Sequence, residues 1–304
     1  SSGTVGFDLF YVNNTLPISI ATHVDQSLAL QGVLPGNAAT PDVLYYQKAS
    51  GGDVTLALWL PALDALDIFH EIRLKLAATT RRAEGRDGDV ARAQELFGTE
   101  HTVSTIGLGY TWTTPKFWFD AGYEKGLGLL EGDFEYDKLE AHISGQLPLI
   151  YPFRLIGTVH AVAQNGRQLP YDFVGLNRYN LLSTDVGLSL RTLTDYTIRI
   201  RGVNAWVFGN RAYTATGGLE LGFDWIGPLR GSGLGLMVWA EQGSAWFSTD
   251  EDLAGFDPQE AFAWGVELRA PYLEKMHLAL GLASARLDDV DFDLAFFTRV
   301  GWGF

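Results

Sequence analysis

The stretch AYTATGGLELGFDW, Ala212 to Trp225, separates into two unlike faces when read at every second residue. One face is Tyr213, Ala215, Gly217, Leu219, Leu221, Phe223 and Trp225; the other is Thr214, Thr216, Gly218, Glu220, Gly222 and Asp224. A period of two is the mark of a β-strand with one apolar side. A soluble sheet alternates in the same way, so alternation does not say what the apolar side meets. Two details do. Aromatic residues stand at both ends of the apolar face, where interfacial girdles lie in a membrane strand. The opposite face is glycine, threonine and charge, which suits a lumen better than a packed core.

The same pattern recurs along the chain. In LLSTDVGLSLR, Leu182, Thr184, Val186, Leu188 and Leu190 oppose Ser183, Asp185, Gly187, Ser189 and Arg191. In FAWGVELRA, Phe262, Trp264, Val266 and Leu268 oppose Glu267 and Arg269, and KMHLALGLA divides similarly. The last nine residues, FFTRVGWGF, put Phe296, Thr298, Val300, Trp302 and Phe304 on one face. An aromatic residue at the final position, where chain ends usually fray into water, fits the terminal strand that serves bacterial outer-membrane proteins as an assembly signal. About sixteen such segments are expected, including separate strands at 43–48, 53–60, 181–193 and 196–208.

Composition agrees. The chain has 304 residues, 47% hydrophobic and 13% aromatic, with 35 glycines and no cysteine. No run approaches the roughly 18 apolar residues of a membrane helix; the longest, Val54 to Leu63, is broken by Pro61. Only a closed barrel could then span lipid, which satisfies no open sheet edge. The lack of cysteine excludes a disulfide scaffold, a thiol nucleophile and thiolate metal sites. A net charge of −14 speaks against nucleic acid as a partner. The joints supply an independent check. Counting back from the C-terminus, PYLE, IGPLRG, TLTD, LIYP and TTPK are tight, whereas the joints between them tend to be longer and polar, STDEDLAGFDPQ among them. Short periplasmic turns and long outer loops make the outer-membrane pattern. The fold expected is all-β, a transmembrane antiparallel up-and-down β-barrel occupying residues 1–304 as a single domain.

Four stretches point further. VWAEQGSAW (238–246), GNRAYTATGGLEL (209–221), GVELRAPY (265–272) and TIRIRGVNAWVFGN (197–210) resemble, in order and spacing, strand and loop motifs of the BamA/TamA superfamily of outer-membrane assembly factors. The resemblance covers roughly the last third of the chain. It implies that Arg201 and Gly202 belong to a lumen-inserted loop, that Arg201 pairs with Glu220 and Glu241, and that Gly243, Ser244 and Trp246 form the family's turn motif. Both acids lie on the inward register of their strands. Departures are Val203 in place of an aromatic, Glu241 in place of aspartate, a loop around 201–211 that reads as short, and no periplasmic POTRA module within these residues.

Other chemistry is not expected. The histidines at 23, 70, 101, 142, 160 and 277 show no metal-ligand spacing. DDVDFD and STDED lack the glycine and terminal glutamate of a calcium loop. No Ser/His or Asp/His constellation stands out, so neither an enzyme, nor a cofactor, nor a bound metal is expected. The function implied is protein assembly or translocation at the outer membrane, with lipid, lipopolysaccharide and other envelope proteins as partners. A porin-like solute channel, or the anchor subunit of a larger complex, remains the alternative; the mixed inward charges Arg191, Arg199, Glu220, Glu267 and Arg269 fit a plugged pore at least as well as an open one.

Overall fold

The computed structural model describes residues 3–13, 18–34, 43–60, 69–85, 101–127, 136–166, 174–178, 183–185, 197–201, 207–246, 259–273 and 276–302. They form strands β1 (Gly3–Asn13), β2 (Ile18–Leu34), β3 (Val43–Leu60), β4 (Phe69–Gly85), β5 (His101–Thr113), β6 (Phe117–Leu127), β7 (Tyr136–Pro148) and β8 (Phe153–Gly166). Four short strands follow, β9 (Val174–Arg178), β10 (Ser183–Asp185), β11 (Thr197–Ile200) and β12 (Val207–Gly209). The chain then resumes long strands: β13 (Arg211–Gly222), β14 (Gly235–Trp246), β15 (Gln259–Leu273), β16 (Met276–Leu287) and β17 (Val290–Trp302). A single 3-10 turn, Gly227–Leu229, lies between β13 and β14.

Fourteen strands make one sheet, in the order β1 to β8, then β13 to β17, then β10. Every neighbouring pair is antiparallel except β10 on β17, where Ser183–Asp185 runs parallel to Arg299–Gly301. Among the described residues β1 has β2 alone as neighbour, so the described sheet does not close on itself. β8 pairs directly with β13, from Ala163 opposite Arg211 to Phe153 opposite Leu221. The stretch between them, 167–210, is an excursion from this pairing; of its described residues only β10 joins the sheet, at the far edge. Of the strand expected at 181–193 the structure describes only β10, three residues at the far edge of the fourteen-stranded sheet; at 196–208 it describes β11 and β12, which pair with β9 in a separate three-stranded sheet. Period two reports one-sided burial, and a strand of a small separate sheet alternates as well as one within the wall. The separate strands expected at 43–48 and 53–60 are one strand, β3, paired along its length with β4. The tight TLTD joint lies outside the described residues. β16 and β17 are joined through Asp288 and Asp289 alone, with Asp288 at φ 48°.

The burial pattern is inverted relative to a soluble sheet. Along β14 the buried residues include Met237, Trp239 and Glu241, while Leu236 and Val238 are exposed. Along β15 Glu267 is 0% exposed, yet Phe262 is 46% and its neighbour Trp264 56% exposed. β3, β4 and β8 likewise expose Val54, Leu56, Leu74, Leu76, Leu155 and Val159. The buried face holds Arg73, Asp120, Lys138, Glu140, Glu220, Glu241, Glu267 and Arg269. Water does not tolerate so much contiguous apolar surface on a soluble monomer, so the exposed face is matched to lipid. On that face, near the β5–β6 turn, His70 Nδ1 lies 2.7 Å from the Tyr110 hydroxyl, and the Trp112 and Phe117 rings are 5.1 Å apart. No helix of the described residues is long and apolar enough to cross a membrane.

This yields a direct test. Val266→Arg places a charge in the middle of the exposed row on β15, and it should destabilise the protein refolded into lipid vesicles by about 2–4 kcal/mol. An unchanged urea midpoint would show that this face does not meet lipid.

Candidate functional site

The site is built on the inner face of β13, β14 and β15, where the excursion returns to the wall. Register sets its geometry. Glu220 on β13 faces Met237 on β14, which faces Glu267 on β15, and two same-face steps along β14 Glu241 faces Thr216. Each of these side chains shares the inward parity of its strand, so three carboxylates converge on one patch.

Arg201, directly after β11, enters this patch and is 2% exposed. Its Nε donates to Glu241 Oε2 at 3.0 Å and its Nη1 to Glu267 Oε2 at 3.1 Å. Its Nη2 donates to Thr216 Oγ1 at 3.3 Å, and its backbone N–H to Glu241 Oε2 at 3.2 Å. Thr216 in turn donates to Glu241 Oε1 at 3.0 Å. The guanidinium carbon sits 3.6 Å from the centroid of the Trp239 ring, a cation–π contact in a desolvated place. Trp239 meets Phe297 of β17 edge-on at 5.9 Å. One arginine thus binds two strands through carboxylates and a third through a hydroxyl, using the planar fork that lysine lacks.

Two glycines make room for this. A Cβ on Gly243 would overlap Ile200 Cδ1 and lie 2.8 Å from the Tyr213 carbonyl oxygen. Ile200, fully buried, is therefore seated where the wall has no side chain. A Cβ on Gly265 would stand 2.9 Å from Trp239 Cζ2 and closer still to the Leu282 carbonyl oxygen of β16, so glycine there admits both the indole and the neighbouring strand. The hydrophobic seat and the ion pairs hold consecutive residues, Ile200 and Arg201.

Glu220 does not pair with Arg201. Its Oε2 accepts from Arg269 Nη1 at 2.6 Å, and its Oε1 accepts from Arg154 of β8. The expected pair Arg201–Glu220 is corrected to Arg201–Glu267, because the arginine enters one strand further along the sheet. Arg269 also stands near Glu267, Nε to Oε1 at 3.5 Å. Gly243, Ser244 and Trp246 are strand residues of β14 rather than a turn; Trp246 ends the strand, its ring 6.1 Å from that of Tyr213. The loop that reads as short is part of an excursion spanning residues 167–210. In the terminal strand Phe296 is exposed and Thr298 half-buried, while Val300 and Trp302 occupy β17 opposite Leu278 and Met276. Gly202, Val203, Arg191 and Phe304 lie outside the described residues. Sequence reasoning missed Glu267, Trp239 and Thr216 as partners of Arg201, although all three lay on the inward register.

A second set of charges lines the inner face of β3 to β8. Arg73 Nη2 meets Asp120 Oδ2 at 2.6 Å, and Thr111 donates to the same oxygen at 2.5 Å. Lys75 pairs with Asp53 at 3.3 Å. His160 Nε2 lies 2.7 Å from Glu140 Oε1, and its ring stacks on His142 at 5.2 Å. This wall is polar but compensated. Among the described residues no group of three or more histidines and acids is placed to hold a metal ion.

The fold and the site define a class: an antiparallel meander, apolar outside and charged within, whose own chain leaves the wall and is anchored on its inner face. No family model matches the sequence, and no curated protein matches it. In structure the chain is similar to CdiB from Escherichia coli, with a TM-score of 0.63 and 12% identity over 98% of this chain and 52% of that one. It is similar to BamA from Haemophilus ducreyi lacking POTRA domains 1–3, with a TM-score of 0.62 and 12% identity over 99% of this chain and 62% of that one. CdiB from Acinetobacter baumannii gives a TM-score of 0.57 and 11% identity over 97% of this chain and 48% of that one. The chain thus resembles the BamA/TamA-type barrel in fold, and it spans about half the length of the CdiB chains.

Proposed function

We propose that the protein is an integral barrel of the bacterial outer membrane, of the BamA/TamA-like type, acting in protein assembly or translocation, and that it is not an enzyme. The observation that carries this reading is Arg201, held by Glu241 and Glu267 on the inner wall. A solute channel needs an open, charged constriction. Here the charges of the patch are spent on retaining a segment of the chain itself. The order of the four sequence motifs and the fold likeness support the same reading. Lipid, lipopolysaccharide and other envelope proteins are the partners it requires; nucleic acid and cofactors have no place in it.

Conductance tests it. The intact protein in a planar bilayer should pass a low, flickering current. Joining Gly166 to Asn210 through a few residues removes the excursion, and the Gln164 N–H to Asn210 carbonyl bond of 2.8 Å shows that the two ends already meet. That deletion should raise the conductance severalfold. Selectivity should stay weak, because neighbouring opposite charges cancel within about one Debye length. A large, steady current in the intact protein, unchanged by the deletion, would retire the assembly reading in favour of a porin-like channel.

A further inference from the structure

We propose that Glu220, which does not touch Arg201, is the positioning residue that sets how firmly Arg201 is held: by binding Arg269 it keeps that cation from competing for Glu267. The proposal rests on the reading of residues 167–210 as a lumen-anchored segment.

The geometry is a chain of alternating charges across four elements. Arg154 on β8 meets Glu220 on β13; Glu220 meets Arg269 on β15 at 2.6 Å; Arg269 stands 3.5 Å from Glu267; Glu267 meets Arg201 at 3.1 Å; and Arg201 meets Glu241 on β14 at 3.0 Å. Among the described residues three cations and three anions alternate along it. Glu267 and Glu220 are 0% and 1% exposed, so water does little to screen them. Glu267 divides its carboxylate, with Oε1 toward Arg269 and Oε2 toward Arg201. The two contacts are unequal. Arg269 is drawn to Glu220 and leaves the closer contact at Glu267 to Arg201.

The argument gives opposite signs for neighbouring substitutions. Glu220→Gln removes the carboxylate that restrains Arg269. Arg269 then closes on Glu267, the patch becomes more positive, and Arg201 is loosened. Arg269→Gln takes one cation away from Glu267 and makes the patch more negative, so Arg201 is tightened. Arg154→Gln gives Glu220 wholly to Arg269 and also tightens Arg201. A merely structural role would loosen the segment in every case.

The chain has no cysteine, so Ile200→Cys introduces a single thiol at a site that is 0% exposed while the segment is seated. Its labelling by a small soluble maleimide, with the full chain in lipid vesicles, reports release. In this background Glu220→Gln should label about tenfold faster, and Arg269→Gln and Arg154→Gln severalfold slower, within the usual range of coupling between sites. Arg201→Ala sets the rate of the released segment. Glu220→Gln and Arg269→Gln both faster, or both unchanged, would overturn the proposal while leaving the anchor intact. If Glu220→Gln does not assemble, half-exposed Arg154 decides: slower labelling supports the proposal, and faster or unchanged labelling overturns it. A parent protein that labels as fast as Arg201→Ala would instead retire the anchored-segment reading itself.

Discussion

Arg201→Met should cost the folded protein about 3–5 kcal/mol, the price of breaking a buried ion pair by removing one partner. Glu241 and Glu267, 4% and 0% exposed, would both lose the guanidinium between them, and Trp239 would lose its cation. Arg201→Lys should recover little, since an ammonium cannot span both carboxylates and Thr216 in one plane. Denaturant titration of the protein in lipid vesicles measures the cost. Glu267→Gln and the double variant complete a cycle that isolates the pair. A cost of only about 0–1 kcal/mol, the value of an exposed pair, would show that water reaches the patch and that the segment is loosely held.

The second large effect concerns the end of the chain. Phe304→Ala, or deletion of the last three residues, should lower the yield of assembled, heat-modifiable protein in cells many-fold, while barely changing the stability of protein already folded. β17 pairs with β16 from Val290 to Trp302 and exposes Leu294 and Phe296 toward the apolar side. Beyond it, among the described residues, lie the three residues of β10. A strand so placed presents its edge and its aromatic row until neighbours cover them, and those are the features an assembly machinery could read. Equal yields from wild type and variant would sink this assignment.

The strand faces were legible because they are local. Leu219 and Leu221 against Glu220, or Trp264 and Val266 against Glu267, differ by one position in an extended chain, and one position reverses the side. The joint pattern was legible only in part: the joints at TTPK and LIYP are tight, but residues 223–234 between β13 and β14 are as long a joint as 247–258 between β14 and β15. Of the two partners expected for Arg201, Glu241 was right and Glu220 was not. Glu220, Glu241 and Glu267 all point inward, and each is a plausible counter-ion in one dimension.

By itself the sequence determined an all-β chain with an apolar outer face, a charged inner face and an aromatic terminal strand, since period two and composition depend on nothing beyond neighbouring residues. Tertiary structure decided that β8 meets β13, and that Arg201 reaches Glu267 beside the expected Glu241 while Glu220 goes to Arg269 and Arg154. Those outcomes depend on which strands become neighbours and on where a returning segment finds a gap. Gly243 supplies that gap, and only the assembled sheet brings Ile200 to it.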